Sequence, residues 1–191
     1  MTTSRIMWAG AIASVSLTAS VLADDKFAGY LCCNMRTDGK WISDINYDEN
    51  GKKVIPAGTP VKVTGYGRHR VNIEVGGGKQ AIGNDYSRDL SPEAFARRYV
   101  VTENPADKLA QYPRPIQNAI TSMRLMKGMN REQVLMAVGY PVSSENPHLE
   151  SKAWRFWLSS FAEFRVRFDD QGSVTDIEAE PDTRDKVVAE Q

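Results

Sequence analysis

Residues 128–141 hold a complete helix with both of its stops. Asn130 is a good N-cap, because its side-chain oxygen accepts an N–H of the first turn. Gln133, three residues on, can return a bond to the cap's own N–H. Val134, Leu135 and Val138 recur at helical spacing and predict an apolar stripe. Gly139 supplies a left-handed C-cap, and Pro141 cannot continue the helix. A helix of about two turns does not hold together alone in water, so this one must dock. Its dock lies downstream, where 154–158 and 164–168 alternate apolar and polar side chains as half-buried strands do.

Around that helix the order from residue 115 is helix, helix, strand, strand, strand. Ile116, Ala119, Ile120 and Met123 predict a first helix running to about Lys127. Asp169 to Gly172 predicts a hairpin turn before a third strand at Val174–Ile177. Upstream, from Ala28 to about Leu90, the texture is β. Strands are expected at 30–35, 41–47, 61–66, 70–75 and 80–82, with turns at Asp38-Gly39 and at Gly76-Gly77-Gly78. Five short strands in so few residues suggest a small barrel. Ser91 caps a short helix through Arg98, and Asn104-Pro105-Ala106-Asp107 and Tyr112-Pro113-Arg114-Pro115 read as a linker or bracing segment. The predicted class is α+β: a small N-terminal β-barrel at 24–90, helix and linker at 91–114, a helix–helix–three-strand layer at 115–178, and a charged, frayed tail at 179–191.

Ile55-Pro56-Ala57-Gly58-Thr59-Pro60-Val61-Lys62-Val63, a tight turn entering a strand, resembles the bacterial SH3-like modules. Such modules bind peptides or cell-wall material in some families and are spacers in others. The run from Gly128-Met129-Asn130 through Val134 to Gly139-Tyr140-Pro141, with its element order, resembles the BamE (SmpA/OmlA) family over about residues 115–178. Those proteins are small components of the outer-membrane β-barrel assembly machine, and their layout is shared with β-lactamase inhibitor proteins. The chain departs from that family in lacking its lipid-attachment cysteine and in carrying a β module in front.

Met1–Ala23 has a short basic start at Arg5, an uncharged run rich in Ala, Ser and Val, and small residues before Asp24. It reads as a cleaved secretory signal peptide, which predicts a periplasmic or outer-membrane-associated protein. Leu31-Cys32 does not make a lipid-attachment box, so no lipid anchor is expected. Formal net charge is zero; removing the leader takes away one cation and no anion, so nothing global favours nucleic acid.

Cys32 and Cys33 are neighbours and cannot provide the spaced ligands of a zinc site. The expectation is one thiol packed in a small core and the other partly exposed, with a bond between the two or to another chain as alternatives in an oxidising compartment. A thiol-dependent enzyme using Cys32 or Cys33, with His69 as a base for Cys33, is one alternative function. A second is cell-wall or peptide recognition by the SH3-like module. No catalytic residue, cofactor or metal is assigned. The candidate binding residues are Arg155, Trp157, Arg165 and Arg167. Alternation puts them on the sheet face turned away from the helices, where guanidinium groups beside an indole suit an anionic lipid surface or an acidic protein patch. A weaker basic-aromatic cluster is Tyr66, Arg68, His69 and Arg70. The leading expectation is an exported, non-enzymatic binding or scaffold protein of the cell envelope, an accessory of outer-membrane protein assembly or envelope integrity. Its partner would be an envelope protein, an anionic lipid surface or peptidoglycan.

Overall fold

Alternation builds the N-terminal half. In Arg70–Val75 it buries Val71, Ile73 and Val75 and leaves Arg70, Asn72 and Glu74 in solvent. The computed structural model describes residues 26–48 and 51–190; the leader segment 1–23 lies outside them. The chain is α+β. Its first sheet is a curled half-barrel of eight strands: β1 (Ala28–Leu31), β2 (Met35–Thr37), β3 (Trp41–Ser43), β4 (Lys53–Ile55), β5 (Pro60–Gly67), β6 (Arg70–Val75), β7 (Gly78–Gly83) and β8 (Val100–Val101). Their order is β4-β2-β3-β7-β6-β5-β1-β8, antiparallel except where β3 meets β7. The glycine hairpin forms as expected, with Gly76 and Gly77 both at positive φ between β6 and β7.

The strand expected at 30–35 is in fact two. It breaks at Cys32–Asn34 because Asn34 leaves the ladder to meet a helix. The helices are α1 (Pro92–Tyr99), α2 (Pro105–Leu109), α3 (Arg114–Thr121), α4 (Arg131–Val138) and α5 (Pro181–Val187). Ser91 caps α1 through the N–H of Ala94, and Phe95, Ala96 and Tyr99 enter the half-barrel core. The helix expected after Ser91 therefore forms and belongs to the first layer. Asn104 caps the short α2 inside the expected linker.

Helix α3 stops at Thr121, well short of Lys127. Met123 turns to a φ of 56° there, and the N–H groups of Met123 and Arg124 close on the carbonyls of Ile120 and Ala119. Leu125 is then free to pair with the C-terminal segment, donating to Val187 (2.7 Å) and accepting from Ala189 (2.8 Å). This pairing also corrects the expectation of a frayed tail: α5 buries Thr183 and Val187.

The second sheet, β9 (Ala153–Ser159), β10 (Ala162–Phe168) and β11 (Val174–Ala179), is antiparallel in the order β11-β10-β9. Trp154, Phe156, Leu158, Phe164, Val166 and Phe168 form its inner face against Ala119, Ile120, Val134 and Ala137. The turn before β11 is made by Asp169, whose carboxylate accepts from the N–H groups of Gln171 and Ser173, with Gly172 at a φ of 81°.

Helix α4 forms the capping box that the sequence predicts: Asn130 accepts from Gln133 N–H, and Gln133 accepts from Asn130 N–H, both at 2.9 Å. Gly139 has a φ of 84°. The apolar stripe needs correction. Val134 is buried, but Leu135 and Val138 are only partly so, while Gln133, Met136 and Ala137 are buried. The helix is wedged between the two layers and covered on two sides, so a one-sided stripe does not describe it.

Candidate functional site

The register of the second sheet brings the four predicted binding residues together on its outer face. Arg155 and Trp157 lie on β9, opposite Arg165 and Glu163 of β10; on the far side Arg165 faces Glu178 and Arg167 faces Asp176 of β11. Arg165 and Arg167 are exposed, while Arg155 and Trp157 are half-buried. The half-barrel does not cover the arginines.

Carboxylates lie between these cations. Arg155 Nε donates to Glu163 at 2.6 Å and lies 3.8 Å from Glu145. The indole N–H of Trp157 donates to the same Glu145 at 2.9 Å, and the Arg155 guanidinium stacks 4.4 Å from the Trp157 ring centroid. Arg167 pairs with Glu178, which holds its guanidinium above its usual range, first through the hydrogen bond and then through charge. Lys127 pairs with Asp176 at 3.3 Å. Arg165 alone of the three arginines makes no ion pair among the described residues. The face is thus a lattice of alternating charge around an aromatic ring, not a positive patch. Glu163 was legible in the sequence as an offset; Glu145 and Glu178 come from a loop and a third strand, which alternation along one hairpin does not reveal.

Phe161, in the β9–β10 turn, is fully exposed. Neighbouring segments cover parts of both edges of this sheet. The side-chain amide of Asn146 mimics a strand partner, accepting from Arg155 N–H (2.8 Å) and donating to Arg155 C=O (3.1 Å). Asp48 N–H donates to Leu158 C=O at 2.9 Å. At the other edge Val174 exchanges bonds with Gly128 and Met129, and Arg184 reaches the Ile177 carbonyl.

The other predicted constellations disperse or change. Arg70 stacks 3.7 Å from the Trp41 ring, pairs with Asp85 at 3.6 Å and donates to the carbonyl of His69, in the β5–β6 turn, at 3.3 Å, a brace across the half-barrel. Cys32 and Cys33 are bonded to each other, so the expectation of two separate thiols is corrected: neither is a free nucleophile here. Cys33 is buried in the half-barrel core and Cys32 is half-buried. Among the described residues no group of His, Cys, Asp and Glu could hold a metal ion, and no helix is long and apolar enough to cross a membrane.

Cys32 also lines a feature that no sequence signal announces. A half-open cavity of about 230 Å³ lies between the layers, walled by Cys32, Val101, Pro105, Leu135, Met136 and Tyr140. Its polar rim includes Glu103, Lys108 and Glu132. These residues come from three elements, β8, α2 and α4, and from three loops, and nothing in their spacing along the chain unites them. Comparison of the chain with known protein families, with curated proteins and with solved structures gives no match.

Proposed function

We propose that this is an exported, non-enzymatic binding or scaffold protein of the bacterial cell envelope, acting as an accessory of outer-membrane protein assembly or envelope integrity. In this reading the half-barrel is an SH3-like module and residues 115–178 a BamE-like layer. The order α3-α4-β9-β10-β11 and the Gly139-Tyr140-Pro141 stop support the second assignment. A disulfide between adjacent cysteines suits an oxidising compartment and supports export.

The observation that carries the reading is the outer sheet face. It offers exposed Phe161, half-buried Trp157 and a fixed pattern of arginines and carboxylates. Aromatic and arginine side chains dominate the energetics of protein interfaces, and alternating charge sets register and partner choice. The pairing of Arg155 and Arg167 with carboxylates favours an envelope protein of complementary mixed charge over an anionic lipid surface or peptidoglycan.

The test is cross-linking in the envelope from a photoreactive residue at position 161, with the Arg165→Glu/Arg167→Glu double variant as comparison. The variant stays folded, with a melting temperature lowered only modestly by the new like-charge contacts at Glu178 and Asp176, and loses the cross-linked protein. Retention of the same cross-link in the double variant at low salt, or recovery of the mature chain outside the envelope fraction, overturns the proposal. Co-sedimentation with anionic vesicles or peptidoglycan that the double variant abolishes moves the partner to that class.

A further inference from the structure

We propose that the cavity beside the Cys32–Cys33 disulfide binds a small arylalkyl cation, an amine carried on a single aromatic ring. This site is separate from the sheet face and does not depend on the reading above.

Size sets the first limit. About 230 Å³ is less than the roughly 300–1,000 Å³ of drug-sized sites, and it suits one ring with a short substituent. The wall chemistry sets the second. Cys32 and Met136 present polarisable sulfur, which favours contact with ring edges, while Val101, Pro105 and Leu135 complete an apolar surface. Tyr140 adds an aromatic wall. It is held by an edge contact with Tyr99 at 5.7 Å and by Arg98 stacked 5.3 Å from its centroid.

Charge at the mouth sets the sign. Lys108 Nζ lies 2.6 Å from Glu132 and 3.9 Å from Glu103. Of the charged groups that line the cavity, one ammonium therefore faces two carboxylates and the lining keeps one net negative charge, while Arg98 lies against the Tyr140 ring without being part of that lining. The Glu103 contact is beyond hydrogen-bonding reach, so its oxygens remain open to a second ammonium. An anion would meet the two carboxylates with one cation already engaged.

The site is also preformed. Cys32 N–H is fixed on Tyr99 C=O at 2.9 Å, and Asn34 N–H on Met136 C=O at 3.0 Å, so two walls are tied to each other through the backbone. A rigid pocket loses little conformational freedom when its ligand arrives.

The experiment is calorimetric titration of the mature chain with phenethylamine and with its anionic counterpart, phenylpropionate. The amine is expected to bind saturably at one site, and the carboxylate more weakly by about tenfold or more. Leu135→Trp fills the cavity from a half-buried wall and abolishes amine binding. Should that variant fail to fold, Glu103→Gln decides, because it changes only a largely exposed carboxylate; it should weaken the amine several-fold and leave the carboxylate no weaker, tightening it if anything. The Arg165→Glu/Arg167→Glu variant should bind the amine as wild type does. No saturable amine binding, equal affinity for the two probes, unchanged amine affinity in a folded Leu135→Trp or in Glu103→Gln, or loss of binding in the sheet-face variant each overturns the proposal.

Discussion

Leu135 and Met136 are adjacent on α4, yet only Met136, at 2% exposure, is fully buried. Leu135 stands in the cavity wall with one side open. Met136→Ala should therefore cost about 2–5 kcal/mol, as full truncations in a packed core do. Leu135→Ala should cost nearer 1 kcal/mol, since much of its surface is never removed from water. Paired urea titrations of the two variants check the order, which reverses the one implied by the apolar stripe. Asp44 is a second case. Burial pushes its carboxyl up from the ordinary 3.8, against the pull of the N–H groups of Ser87, Tyr86 and Asp85. The folded state then keeps the proton to higher pH than the unfolded chain does. Stability from this group is greatest below the unfolded value and falls as pH rises through the folded one. Asp44→Asn lacks that slope, and its one oxygen can still accept from the N–H groups of Tyr86 and Ser87, which share a single carboxylate oxygen in the wild type. Its stability relative to wild type should rise from acid to neutral pH in denaturation series; a flat or falling difference counts against the burial argument.

At the scale of elements, the C-terminus of α4 is capped by the half-barrel. The last four carbonyls of a helix have no partner inside it. Here Leu135 C=O accepts from Gly139 N–H, Met136 C=O from Asn34 N–H, Ala137 C=O from the Asn34 side-chain amide, and Val138 C=O from the Asn46 amide at 3.2 Å. The Asn34 amide also reaches the Ile120 carbonyl at the end of α3 (2.6 Å), and its oxygen accepts from Ala57 N–H (2.9 Å). One buried side chain thus ties two helices to a turn of the half-barrel. Asn34→Leu should strand these groups at about 1–3 kcal/mol each. Asn34→Asp should be worse at neutral pH, because a carboxylate would face helix C-terminal carbonyls, the negative end of the dipole. It should recover partly in acid, where the protonated group can donate again. Thermal melts of both variants at two pH values make the comparison; equal losses at both pH values would remove the electrostatic part.

Over the whole molecule, the two cores exchange residues. Ala57 of the half-barrel belongs to the core under the second sheet, while Tyr140, just past α4, packs against the half-barrel core. Ser143 binds Ser87 and Asp89, and Asp48 N–H donates to the edge of β9. The link between the layers is polar as well as apolar, and breaking it would expose carbonyls in both. Calorimetry should therefore show one unfolding transition with equal calorimetric and van't Hoff enthalpies. Two resolved transitions would mean that the Asn34 and Asn46 contacts are too weak to couple the layers.

The helix α4, its capping box, its glycine stop, the glycine hairpin and the inward face of the second sheet were legible in the chain. Each depends on residues a few positions apart, where φ preference, capping chemistry and the strand period act locally. Tertiary structure decided the rest. Asn34 reads as a polar residue inside an expected strand, and only the approach of two helix ends explains why it is buried and why the strand breaks there. Met123 reads as one more apolar position of a longer helix, until Leu125 is seen to pair with the C-terminal segment. The face bearing Arg155, Trp157, Arg165 and Arg167 followed from alternation, but its neutral character did not, because Glu145 and Glu178 reach it from outside the hairpin. The cavity at Cys32 lay furthest from view. Its walls join residues up to about a hundred positions apart, and local propensity carries no information about which distant surfaces meet.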